Sequence, residues 1–315
     1  MDARFGKENY KVDIFERENK QQVASMLNRH LQWWEGHEDN LVSWTSSLLF
    51  ALVYIFHLHA NSRDGSAFDD IFLCIIDTKQ FPKAVFLRDM DLIKAYFPLD
   101  ADLKRMQNLR LSDYYFGEYL SQGALKIEDK CEIVSAQAMI DQGLCNLRHE
   151  FGEFAQWESS RNVPWAKPMV ALRKDLYLIE CPEITKENSL VAINIAKLFG
   201  PRWQLPVAAN LIALLPHLTE DTAIIQAFSS NPFTSSLLLP RSKVKLIHLD
   251  DDRENTSPLK TKVIAYNSLP EVEKFSKIMW SIYKDFCVEK LKSKSSKVDV
   301  FSYWKSPPKM ITDKL

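Results

Sequence analysis

A single carboxylate stands out in the stretch from Leu111 to Lys126, LSDYYFGEYLSQGALK. Glu118 follows an aromatic run, Tyr114, Tyr115 and Phe116, and precedes Tyr119, Leu120 and the turn-forming Ser121-Gln122-Gly123. Aromatic residues favour a pleated, half-buried surface. Alternation along a strand from Leu111 to Leu120 puts Tyr114, Phe116, Glu118 and Leu120 on one face. An acid among apolar neighbours is costly unless it is hydrogen-bonded or serves chemistry; the plain alternative is a partly exposed glutamate at a strand end. Two more polar points fall in strand-like segments. Ser43, Trp44 and Thr45 close the segment LVSWT, and Tyr10 and Lys11 lie in NYKVDIF near the N-terminus. Base, hydroxyl and carboxylate on three strands in that order frame a cleft of the kind a nucleotide occupies.

The elements that must position these residues alternate in type. A strand over Asn9–Phe15 leads to a helix over Asn19–Trp34, with Val23, Met26, Leu27 and Leu31 at helical spacing. The strand Leu41–Thr45 runs into Ser46 and Ser47, good N-caps for the apolar helix Leu48–His59. Asp70–Thr78 is the clearest strand and, being nearly continuous in apolar residues, is expected at a sheet centre. A short strand at Val85–Leu87, a helix over Asp89–Phe97, the strand bearing Glu118, a strand at Lys130–Ser135 and a helix over Ala136–Leu144 follow. From about Trp157 the texture turns helical: Ala166–Leu178, Ser189–Phe199, Leu205–Leu215, Asp221–Phe228 and the long amphipathic Glu271–Lys292, with strand-like Val244–Leu249 and Lys262–Tyr266 between the last two. The organisation expected is 1–156 as an α+β domain, 157–292 as a mainly helical region packed on it, and 293–315 as a lysine- and serine-rich polar tail.

Composition bounds the function. The 315 residues are 46% hydrophobic and 26% charged, with net charge −1 from 40 basic and 41 acidic side chains. This is the balance of a soluble globular protein with no global field to recruit nucleic acid or an anionic membrane. Five widely spaced cysteines with no CxxC pair suit reduced thiols in an intracellular protein, cytoplasmic or nuclear. The N-terminus carries no apolar signal segment, and the longest apolar run, Leu48–Leu58, is too short to span a bilayer. No phosphate-cradling glycine motif or zinc-protease motif is present, and eight glycines leave few for phosphate loops. His57 and His59, two apart on a helix, diverge, so no metal is implied. Trp33-Trp34 reads as a buried aromatic anchor, and Glu271-Val272-Glu273-Lys274 as a solvated helix face.

The segments LVSWTSSLLFALVYIF, IFLCIIDTKQFPKAVFLRDMDLIKAYF, YYFGEYLSQGALK and LFGPRWQLPVAANLIALLPH resemble an uncharacterised domain family of filamentous fungi over most of residues 8–228. That family is in turn similar to the ADP-ribosyltransferase-like fold. The resemblance implies a split or mixed sheet that binds NAD as substrate. A first-strand Arg or His contacts the dinucleotide, a Ser-Thr-Ser-type strand lies under the nicotinamide ribose, and a later Glu holds the ribose 2′-hydroxyl. Ser43-Trp44-Thr45 matches the second of these, Glu118 the third, and Lys11, beside Tyr10, falls near the first. A placed carboxylate would stabilise the positive charge that develops on the ribose as nicotinamide leaves. Three departures bear on this. Lys11 cannot give a forked contact. Trp44 replaces the middle Thr, and Phe116 stands where arginine-modifying relatives keep a second Glu. The expectation is an NAD-binding, ADP-ribosyltransferase-like protein with catalytic Ser43 and Glu118, binding residues Lys11, Tyr10, Trp44 and Thr45, and no metal. It would transfer ADP-ribose to a protein acceptor or hydrolyse NAD. The alternative is an inactive fold serving as a protein-interaction module, in an effector or in self/non-self recognition.

Overall fold

The computed structural model describes residues 13–34, 40–177, 184–216, 228 and 269–294. Its first described element is a 3-10 turn, Ile14–Glu16, capped by Asp13, whose carboxylate accepts from Phe15 N. The strand expected over Asn9–Phe15 is thus a turn at its described end, while Tyr10 and Lys11 lie outside the described residues. Helix α1 (Lys20–Leu31) begins where the Asn19 side chain accepts from Gln22 N, and it buries Val23, Met26, Leu27 and Leu31 along one stripe. Strand β1 (Leu41–Thr45) feeds α2 (Leu48–Ala60), capped by Ser47 through Phe50 N at 3.1 Å. Leu49, Leu52, Val53 and Phe56 of α2 have no exposure at all, as befits a helix that is apolar nearly all round.

Strands β2 (Phe72–Ile76) and β3 (Leu87–Arg88) precede two helices, α3 (Asp89–Tyr96) and α4 (Ala101–Arg110). Then come β4 (Glu118–Gln122) and β5 (Cys131–Ser135). The β-structure of this α+β fold is split into two small antiparallel sheets. In one, β4 lies between β1 and β3; in the other, β2 pairs with β5. β2 is therefore not central: Leu73 and Val134 face inward, while Phe72 and Ile133 stand exposed on the outer side. The Glu118 strand is also shorter than its aromatic content predicts. Gly117, at φ +67°, breaks the extended backbone, so β4 starts at Glu118 and the preceding aromatics enter the core from a loop. Phe116 stacks on Phe50 at 5.2 Å between ring centres.

The remaining described elements are helical: α5 (Ala136–Asp141), α6 (Leu144–Leu147), α7 (His149–Phe154), α8 (Ala166–Asp175), α9 (Lys186–Ala196), α10 (Pro201–Ala213) and α11 (Pro270–Lys294). The expected strands Val244–Leu249 and Lys262–Tyr266, the helix Asp221–Phe228 apart from buried, helical Phe228, and the tail from Ser295 lie outside the described residues. One large apolar cluster surrounds α2 and draws on both sides of residue 157, from Leu49 to Ile282. A second, smaller cluster joins Leu27 and Leu31 of α1, Leu92 and Ile93 of α3 and Leu103 of α4 to Leu41 and Leu120 of the three-stranded sheet. It fixes which sheet face those three helices cover.

Candidate functional site

The register of β1 on β4 pairs Ser43 with Leu120 and Thr45 with Glu118. Paired residues share a face, so Ser43, Glu118 and Leu120 all lie on the side covered by α1, α3 and α4. Each of these helices sends one polar side chain toward Glu118. Ser43 Oγ donates to Glu118 Oε1 at 2.7 Å, and His30 Nε2 of α1 lies 3.0 Å from the same hydroxyl. Because the single serine proton goes to Glu118, the imidazole N–H is the donor to Ser43. Arg110, the last residue of α4, donates from Nη2 to Glu118 Oε2 at 2.6 Å. Its Nε lies 3.0 Å from Oδ2 of Asp89, the first residue of α3, although the N–H does not point along that line. The result is a chain of five groups, His30–Ser43–Glu118–Arg110–Asp89, running from half-buried His30 and exposed Ser43 into the interior.

Burial sets its electrostatics. Glu118 is 7% exposed, Arg110 6% and Asp89 0%, so two carboxylates share one guanidinium with almost no water. Burial pushes the Asp89 carboxyl up to about 7; Arg110 opposes the shift and the Glu118 charge adds to it. The Tyr115 phenol is raised as well, chiefly by burial and then by Asp89. Glu118 has both oxygens engaged, yet one of its partners, Ser43, is open to solvent. A ligand group reaching this point would meet the Ser43 hydroxyl first, with the Glu118 carboxylate bonded behind it.

Of the other residues expected at the site, Tyr10 and Lys11 lie outside the described residues, and Trp44 and Thr45 are engaged with other partners. Trp44 alternates to the opposite sheet face, where its indole N–H donates to Ser121 Oγ at 2.8 Å and its ring meets Phe86 edge-on. The Thr45 hydroxyl donates to Phe116 O at 2.7 Å and accepts from Ser47 N at 2.9 Å, tying β1 to the loop before Glu118. Trp33 and Trp34 are not a buried anchor: both are exposed, although Trp33 stacks on Trp165 at 5.1 Å. His57 and His59 each bond a different carbonyl, Val163 O and Ser66 O. Among the described residues, no group of three or more His, Cys, Asp or Glu side chains is placed to hold a metal ion. None of their helices is long and apolar enough to cross a membrane.

A second buried charge network lies behind the site. Glu271, in the first turn of α11, is 0% exposed rather than part of a solvated face. It accepts from Ser47 Oγ at 2.6 Å and from Arg173 of α8, Nη2 at 2.8 Å and Nε at 3.2 Å. Arg173 Nη1 donates in turn to Tyr115 O at 2.6 Å. Leu269 closes over Gly117, where a Cβ would meet Leu269 Cδ1 at 2.6 Å. The loop that aims Glu118 is thus held from below by α8 and α11.

Residues 2–129 of the 315 match a family model described as Domain of unknown function (DUF7587). The matched segment runs through β4, so it contains all five groups of the chain from His30 to Glu118 but neither Arg173 nor Glu271. No curated protein matches the chain, and no solved structure does.

Proposed function

We propose that the chain binds NAD or a related nucleotide over Ser43, with Glu118 accepting a hydrogen bond from a ribose hydroxyl, in the manner of an ADP-ribosyltransferase-like site. The observation that carries this reading is the 2.7 Å Ser43–Glu118 hydrogen bond between neighbouring strands, with the serine at the surface and the carboxylate behind it. Transfer of ADP-ribose to a protein acceptor, or hydrolysis of NAD, follows if Glu118 also stabilises positive charge on the ribose. Calorimetric titration with NAD, with nicotinamide release assayed on the same sample, tests it. Removing a group that stabilises transition-state charge lowers rate ~10²-fold or more, so Glu118→Gln should suppress release and weaken binding. An unaltered Glu118→Gln protein would take Glu118 out of the site.

One observation favours a second reading, in which the fold has no turnover and serves as a protein-interaction module. Arg110 neutralises the Glu118 charge at 2.6 Å, and a carboxylate already held by a guanidinium offers less field to a developing cation. Nicotinamide release by the purified wild-type protein would count against this version.

A further inference from the structure

Arg110 touches Glu118 with one nitrogen and Asp89 with another. The contacts differ in kind: Nη2 makes a directed 2.6 Å bond to Glu118, whereas Nε only approaches Asp89 at 3.0 Å and stays without an aligned acceptor. Asp89 Oδ2 has no hydrogen-bond partner either, in a side chain with no solvent exposure. A buried oxygen and a buried N–H left unaligned side by side each lose the free energy of an unmade bond. A small rotation of the guanidinium toward Asp89 would align them and loosen the Glu118 bond. Everything else that faces Asp89 is in place: Arg88 of β3, the Met90 N–H at 2.7 Å, and the Tyr115 phenol.

We infer that Asp89 is a positioning residue for Glu118, acting through Arg110. With a proton on Asp89, Arg110 belongs to Glu118 and occupies its Oε2; with the proton gone, Asp89 competes for the guanidinium and frees Glu118 to accept from a ligand hydroxyl. No covalent step is involved, only one proton leaving Asp89 to solvent and one ion pair being redistributed. The high affinity of buried Asp89 for its proton, up to about pH 7, puts the exchange in the neutral range. The ligand-binding consequence rests on the nucleotide reading above; the coupling of the two carboxylates does not.

The test separates the two. In ligand-free full-length protein, the Asp89 carboxyl carbon is followed by NMR through a pH titration, together with the Arg110 Nε resonance. The Nε signal should move with the Asp89 midpoint. In Glu118→Gln that midpoint should fall by about one pH unit or more, since a like charge is removed and Arg110 is released. An Nε signal that stays flat while Asp89 titrates, or a midpoint unmoved by Glu118→Gln, overturns the inference; the Nε arm needs no variant to fold. On the same samples, NAD titrated at pH 6 and pH 8 should bind about tenfold more tightly at pH 8 to wild type and equally at both to Asp89→Asn. Equal binding by wild type at both values overturns the gate. Absence of NAD binding by wild type at either pH removes the nucleotide reading instead and leaves the coupling to be decided by the NMR titration.

Discussion

Replacing Glu271 by alanine removes the counter-ion of Arg173 from a place water does not reach. The lost carboxylate accepted three hydrogen bonds, one from Ser47 and two from the Arg173 fork. Charge-assisted bonds contribute about 1.5–3 kcal/mol each, but they are not additive and Arg173 keeps its bond to Tyr115 O. Removing one member of a buried ion pair costs about 3–5 kcal/mol, because the survivor remains charged and unpaired. That range is the expected loss. Urea unfolding should show it as a midpoint lowered by roughly 1–2 M at an unchanged slope of about 3 kcal/mol/M. Replacing both partners with apolar residues of similar volume, Glu271→Leu with Arg173→Met, should restore more stability than either single change retains. A Glu271→Ala loss below about 1 kcal/mol, or a double variant no better than the singles, would refute the description of Glu271 as a buried clamp.

Asp89 sets a pH slope. Its folded carboxyl holds a proton up to about 7 against an ordinary 3.8, so the native state binds more protons between these values. Its favourable contribution is complete below about pH 4, declines as pH rises, and is gone above about 7, at most about 4 kcal/mol in all. Denaturation of wild type and Asp89→Asn across pH 4–8 should give curves that diverge through that window; parallel curves contradict the burial argument. Arg110→Met leaves Asp89 and Glu118 facing each other without a cation, and should destabilise by about 3–5 kcal/mol at pH 8 and visibly less at pH 5, where Asp89 is protonated. Equal losses at both pH values would mean that Arg110 pairs with neither strongly. Gly117→Ala forces a left-handed backbone on a side chain and drives it into Ser46 and Leu269, so a loss of at least about 1–3 kcal/mol is expected by thermal melting. An unchanged melting temperature would show that the loop can re-form without its positive φ.

The sequence made some of this legible and hid the rest for identifiable reasons. β1, the Ser47 cap and α2 follow from a strand-to-serine-to-apolar pattern that local chemistry decides, and the structure places them at Leu41–Thr45 and Leu48–Ala60. α4 leaves little trace in the sequence because its ten residues bury only Leu103 and Arg110, giving no apolar stripe; the Asp100 cap, which accepts from Asp102 N, is its one local signal. The aromatic run before Glu118 looks like a strand since aromatics favour strands, but Gly117 and the core contacts of Phe116 hold it as a loop. Ser43 and Glu118 were visible as an isolated hydroxyl and an isolated acid. Their partners were not, because Asp89, Arg110 and His30 are ordinary polar residues near helix ends and are brought together by the packing of the second apolar cluster. Glu271 follows a proline at a helix start, a position that normally faces water, and nothing local announces a guanidinium held 98 positions earlier.

That separation has a consequence for synthesis of the chain. Arg173 leaves the ribosome 98 residues before Glu271, and Ser47 224 residues before it. At roughly 5–20 residues per second the arginine waits about 5–20 s for its counter-ion. Throughout that interval the loop ahead of Glu118 lacks its support from α11, and the apolar surface that Leu269, Ile278 and Ile282 later join is without them. The matched N-terminal segment is therefore made early and finished late. A nascent chain stalled between residues 173 and 271 would present that apolar surface to chaperones and a half-built site to any ligand.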